Sequence, residues 1–156
     1  MKKIKIKKTD KCDTRTLKKG EIVTEKAARE DTEAHIEAVQ KCGQALMGEF
    51  YNQLKIHDHT KLDHLKEFTE GLNKGFDSPE FTKWYDMHVK SERHHLLKRV
   101  PDDVNLIDVL EMICDCVSAG MARTGKVFDI NIPEEVLVKA TKNTFKLLVK
   151  NIEVED

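Results

Sequence analysis

The sequence predicts an all-α fold, a helical bundle with a small β-hairpin at its N-terminus. Three observations predict it. Apolar residues recur at three- and four-residue steps through most of the 156 residues, the period of an amphipathic helix. Start and stop signals punctuate that period at Thr24, at Ser78-Pro79 and at Gly125. No internal repeat, low-complexity tract or second domain interrupts it. The organisation expected is therefore a basic arm or hairpin over 1–23 and a single helical domain over 24–156.

In the first stretch Ile4 and Ile6 alternate with lysines, and Lys19-Gly20 leads into Glu21-Ile22-Val23, a hairpin pattern. Thr24 fits an N-cap, with Glu25 in the first turn. The helix that follows turns Ala28, Ile36, Val39 and Leu46 inward. Its period continues through Phe50, Tyr51 and Leu54, weakened at Gly43 and Gly48. Thr60 with Asp63 makes a capping-box pair, which starts a helix near Lys61 and carries it to about Leu72. His57 and Asp58 then fall at a helix junction, where side chains from two elements converge. Gly71 and Gly75 bracket a loop. Ser78 caps, and Pro79 opens, a helix carrying Phe81, Trp84, His88, Glu92 and His95, and Pro101 ends that region. Residues 131–133 open a last helix with Val136, Leu137, Ala140, Thr144, Leu147 and Leu148 inward.

The helix predicted over 104–123 has an unusual pattern. Leu106, Val109, Leu110, Ile113, Val117 and Met121 form its apolar stripe, and Ile107, Met112, Cys114, Cys116 and Ala119 cover most of the rest. Asp108, Glu111, Asp115 and Ser118 fall in a band only about 80° wide. The helix reads as buried on most sides with one narrow acidic strip, although a narrow exposed face would give the same pattern. A carboxylate in low dielectric needs a cation, a metal or several donors. The seven histidines, running from His35 to His95, are the obvious partners.

Composition narrows the function classes. Hydrophobic residues make up 39% and charged residues 35%, as in a soluble globular protein, and no run approaches the roughly 20 apolar residues of a membrane span. The opening MKKIKIKK lacks the apolar core of a secretory signal, so a cytoplasmic protein is expected. Cys12, Cys42, Cys114 and Cys116 fit no disulfide or zinc spacing and read as reduced, with Cys114 and Cys116 as small core residues. The net charge of −1 gives no global attraction to nucleic acid. The basic run Lys2, Lys3, Lys5, Lys7, Lys8, Lys11 reads as a solvated arm or edge strand. The oligomeric state stays open, a homo-oligomer included.

His35, His57-Asp58, His94-His95 and Asp115 lie on separate predicted segments. Imidazole and carboxylate together suit a divalent transition ion such as Mn, Fe, Co, Ni or Zn. Such an ion lowers the pKa of a bound water, supplies hydroxide near neutral pH and neutralises phosphoryl charge. The order His35, then His57-Asp58 with Lys61, then Asp115 resembles the H…HD…D order of the HD-domain metal-dependent phosphohydrolases. The run HDHTK resembles their HDxxK form. Over about 20–150 the chain is similar to small phage-encoded HD-like proteins with a later double histidine and an acidic helix close to DVLEMICDCVSAG.

The resemblance implies an HD-like helical bundle, a divalent ion (Mn, Fe, Co, Ni, Zn or Mg), and hydrolysis of a nucleotide or other small phosphate ester in the cytoplasm, the host's if phage-encoded. It implies His35, His57, Asp58 and Asp115 as metal ligands, with His94 and His95 as additional metal ligands or phosphate contacts. Asp58 and Lys61 would be the catalytic pair, and Lys61 and Arg93 the phosphate contacts. His88, Glu92 and Glu111 would orient the ligands. One spacing is short: on an unbroken helix His35 and His57 would stand about 33 Å apart. The shared site therefore expects a turn near Leu46, between Gly43 and Gly48. Two other readings stand beside this one: a phage protein that sequesters a nucleotide or blocks a protein without turnover, and an all-α pyrophosphatase using Glu67, Glu70, Asp108 and Glu111.

Overall fold

The computed structural model describes residues 1–7, 20, 22–127 and 129–155. Lys8, Lys11, Cys12, Lys19 and Glu21 lie outside the described residues. The chain is predominantly helical, in the order β1 (Ile4–Lys7), α1 (Glu25–Lys55), α2 (His59–Asp63), α3 (Leu65–Lys74), α4 (Pro79–Ser91), α5 (Leu106–Thr124), α6 (Glu134–Asn151) and β2 (Ile152–Glu155). No described helix is long and apolar enough to cross a membrane. Two compact units emerge, Met1–Glu49 with Leu147–Asp156, and Phe50–Lys146.

In the first unit the expected hairpin is replaced by a parallel pair. β1 lies beside β2, with Ile4 opposite Ile152 and Ile6 opposite Val154. Charge explains the choice of partner: IKIK meets IEVE, and Lys5 reaches Glu155 at 2.7 Å while Lys3 reaches Glu153 at 3.4 Å. Thr24 caps α1 as its sequence indicates, its Oγ1 accepting from Ala27 N at 3.2 Å. The turn expected near Leu46 does not form. α1 runs through it without a break, because neither glycine removes a backbone N–H from the helical ladder. α1 also buries none of its residues fully, so Ile36 and Val39, expected inward, are exposed.

The second unit contains the hydrophobic core. Leu96, Val104, Val109, Met112, Val136 and Ala140 pack together between the segment before α5, α5 itself and α6. Asn105 caps α5, accepting from Ile107 N at 2.9 Å, while Asp108 accepts from Asn105 N at 2.9 Å, and Gly125 ends the helix in the left-handed region. Thr144 fastens α6 to this cap by accepting from Leu106 N at 2.8 Å. Of the expected apolar stripe of α5 only Leu106 and Val109 turn inward, since Leu110, Ile113, Val117 and Met121 are exposed, as is Cys114. The acidic side faces inward instead because Asp108 and Glu111 find charged and hydrogen-bonding partners there.

The helix expected from Lys61 to Leu72 is two helices broken at His64, and the capping box is absent because Thr60 is itself buried in α2. Gly71 is not in a loop. It lies buried in α3, where an added Cβ would stand 2.9 Å from Phe81 Cα. Gly71→Ala is therefore expected to lower stability by about 1–3 kcal/mol, despite the better helix propensity of alanine, worth about 1 kcal/mol; thermal denaturation reads the difference. Ser78 and Pro79 start α4 as expected, Ser78 Oγ accepting from Phe81 N at 3.1 Å.

Candidate metal centre

Three elements of the second unit converge. The turn after α1 delivers His57 and Asp58. Asp58 is the one described non-glycine residue at positive φ, 58°, a region aspartate tolerates better than most residues and one often strained at functional sites. α4 delivers His88, stops at Ser91, and Glu92 leaves it in extended conformation. Adjacent helical residues diverge by about 100°. Because the helix has ended, His94 and His95 can instead lie side by side, their rings 4.3 Å apart. α5 adds Glu111 and Asp115.

Two overlapping groups result: Asp58 with His88, His94 and His95, and His57 with His94 and Asp115. In each, the ligand atoms lie within 4.8 Å of one another. Within the first, His88 Nε2 is 3.4 Å and His94 Nε2 3.7 Å from Asp58 Oδ1, and His95 Nε2 is 2.8 Å from His88 Nε2. Ligands bonded at about 2.0–2.2 Å to one ion stand roughly 2.8–3.6 Å from each other, and these separations lie within about 0.1 Å of that range. Asp58 Oδ1 and His94 Nε2 are buried without a hydrogen-bond partner. Buried polar atoms are rarely left so, and a cation between them would satisfy both.

The surroundings set the tautomers. Thr60 Oγ1 donates to Glu92 Oε1 at 2.6 Å, and the carboxylate can only accept. The contact of 2.7 Å between Thr60 Oγ1 and His88 Nδ1 must then be a donation by the ring, which leaves His88 Nε2 as a lone pair facing the centre. Glu111 orients the other rings from behind. Its Oε1 lies 2.9 Å from His57 Nδ1 and 3.3 Å from His94 Nδ1, and Gln53 Nε2 donates to its Oε2 at 2.6 Å. Such carboxylate support is what fixes the orientation of metal-binding imidazoles.

Electrostatics follow from this packing. Burial lowers the pKa of His88, and burial with neighbouring His94 and His88 pushes His95 down to about 4, so both rings favour the neutral form, the form that ligates. Burial opposes charge on His94, but Glu111, Asp115 and Asp58 outweigh it and raise its pKa. Burial likewise disfavours the Asp58 and Glu111 carboxylates. Lys61, the largest of the opposing influences, overcomes it for Asp58, as His94, Gln53 and His57 do for Glu111, and both are held below their ordinary values. His94 must lose its proton to use Nε2 as a ligand. Metal uptake is therefore expected to release a proton and to tighten as pH rises through the raised pKa of His94; calorimetry in buffers of different ionisation enthalpy reads it.

The centre has a closed floor and an open rim. The side chains of His88 and His94 are 2% and 1% exposed, whereas those of Asp58, His57, Asp115 and Lys61 are between 22% and 31% exposed. Of the ligands read from sequence, His57, Asp58, His94, His95 and Asp115 come together. His35 does not: it is exposed on α1, about 30 Å along the axis from the helix end at Lys55. Arg93, expected to contact phosphate, is a structural fork instead. Its Nε and Nη2 donate to the fully buried Asp108 at 2.7 and 2.8 Å and its Nη1 to Asp103 at 3.1 Å.

Lys61 pairs with Asp58 Oδ2. His88, read from sequence as an orienting partner, sits among the ligands. Thr60, Gln53 and Asp108 were not assigned to the site by sequence, and for Thr60 the signal was present in its position two residues after Asp58.

Every residue of both groups lies inside the span 24–152, which matches the sequence profile of a family of unknown function, DUF5662. No curated protein and no solved structure matches the chain. Since the match covers most of its length, the chain belongs to the DUF5662 family.

Proposed function

We propose that the protein is a metal-dependent phosphohydrolase of HD type, acting on a nucleotide or other small phosphate ester. The observation that carries this reading is the pair of unpartnered buried atoms, Asp58 Oδ1 and His94 Nε2, facing each other at 3.7 Å below an open rim. A divalent transition ion bound there would supply an activated water and neutralise phosphoryl charge. The chain's own residues do the rest. Asp58, His88, His94 and His95 hold the ion, and Glu111 and Thr60 keep the rings turned toward it. Asp115 and His57 stand at the edge where substrate enters, and Lys61 offers the one described ammonium beside Asp58 to an incoming phosphate. The resemblance to small phage-encoded HD-like proteins extends the proposal to a cytoplasmic setting.

One observation favours the alternative of a sequestering protein without turnover: Lys61 and Arg93 are both tied to carboxylates, which leaves a phosphate few cationic contacts. Protein stripped by chelator and reloaded with Mn²⁺, Co²⁺, Ni²⁺ or Mg²⁺ is to be assayed for phosphate release from a nucleotide panel. Turnover with at least one ion is expected, abolished by chelator and restored by metal. Tight nucleotide binding by the loaded protein with no product from any ester would replace hydrolysis with sequestration.

A further inference from the structure

We propose that Lys61 is the resident cation of a second metal subsite, and that an anionic phosphate must draw it away before a second divalent ion binds. The inference rests on the metal-centre reading above. His94 Nδ1 stands 3.3 Å from Glu111 while its Nε2 is the nitrogen facing Asp58 and Asp115, and one nitrogen serves one ion. With His94 in the four-residue group, the other group keeps His57 Nε2 and Asp115 Oδ1, 3.6 Å apart. Its natural third ligand is Asp58 Oδ2, 3.5 Å from His57 Nε2. That oxygen is already occupied, because the Lys61 ammonium sits on it.

An ammonium and a divalent cation on one carboxylate oxygen repel strongly at contact distance, so the second ion and Lys61 compete for Oδ2. Lys61 is partly exposed and carries its charge on a flexible four-carbon stem, which allows the ammonium to move to a phosphate at the rim. Phosphate and the second ion then favour each other's binding, and by linkage each tightens the other equally. The substrate would thus complete the centre that acts on it, and the first ion would bind without displacing Lys61.

Mn²⁺ titrations of the full chain, read by the electron paramagnetic resonance of free Mn²⁺, test this with and without inorganic phosphate. The wild type is expected to bind one equivalent alone and two with phosphate. Lys61→Met is expected to bind two without phosphate, and Lys61→Arg, which keeps a cation, only one. Circular dichroism verifies that each variant is folded, and Lys61→Gln substitutes for Lys61→Met should the latter not fold. Two equivalents in the wild type without phosphate, or one in the folded Lys61→Met and Lys61→Gln proteins, would overturn the competition while leaving a single-ion centre intact. Binding of no ion by any of them would overturn the metal-centre reading itself.

Discussion

Asp58→Asn is expected to cost the centre its ion while leaving the protein folded. The substitution is nearly isosteric, and asparagine, like aspartate, tolerates the left-handed backbone that Asp58 adopts at φ 58° and ψ 16°. It removes the negative charge that faces His88 and His94 and pairs with Lys61. Metal affinity should fall about 100-fold or more, beyond what losing an orienting partner typically costs. Phosphate-ester turnover should fall with it. Asp58→Ala makes a useful contrast, since its Cβ pays about 1–2 kcal/mol for the same backbone conformation with no local hydrogen bond in return. The readout is already in the chain. Trp84 is the single tryptophan and stacks on His88 with ring centroids 4.9 Å apart. Co²⁺ or Ni²⁺ should quench its fluorescence in the wild type and leave it unchanged in Asp58→Asn. Equal quenching in the two proteins would remove Asp58 from the ligand set.

The largest loss of stability is expected from Asp108→Ala. Asp108 is fully buried and accepts four hydrogen bonds: from Arg93 Nε and Nη2, from Asn105 N, and from Gln53 Nε2 at 3.0 Å. Its interaction with Arg93 raises the already high pKa of the guanidinium further. Removing one partner of a buried ion pair costs about 3–5 kcal/mol, which for a chain of this size lowers the melting temperature by about 10 °C or more. Because Arg93 precedes His94, the metal-binding segment should loosen as well. Melting of the metal-free protein isolates the first effect. Asp102→Ala, which removes the exposed contact of 3.2 Å with Lys139, is the control and should change stability by about 0.5 kcal/mol or less. Equal melting temperatures for the two variants would mean that Arg93 is held without Asp108.

Asp108 and Glu111 show what a sequence can and cannot convey. The narrow acidic strip of α5 correctly indicated that Asp108 and Glu111 need partners, because a buried charge must be met. It did not indicate which. Glu111 found imidazoles, but Asp108 found Arg93 and Gln53, contacts 15 and 55 residues away. The doublet His57-Asp58 was legible because its chemistry is local. Thr60 was misread for the same reason: its spacing to Asp63 suits a cap, while its hydroxyl goes to Glu92 and His88, 32 and 28 residues away.

His88 shared a helix face with Trp84 and Glu92, which made it look like support. It joins the candidate ligand group because α4 ends three residues later and lets His94 and His95 fold back beside it. His35 illustrates the opposite failure. Residue order placed it in the set, but order carries no distance, and an uninterrupted helix decides the matter. The partner of β1 was a long-range pairing that alternating charge permits yet no local signal names.

The central claim is that Asp58, His88, His94 and His95 hold a transition-metal ion, with His57 and Asp115 beside it. Elemental analysis of protein purified without chelator, set beside a His94→Ala variant shown to be folded, tests it most directly, because His94 belongs to both ligand groups. The account predicts at least one equivalent of Mn, Fe, Co, Ni or Zn in the wild type and a loss of most of it in the variant. A folded wild-type protein that holds no stoichiometric metal, and gains none on dialysis against these ions, would contradict it.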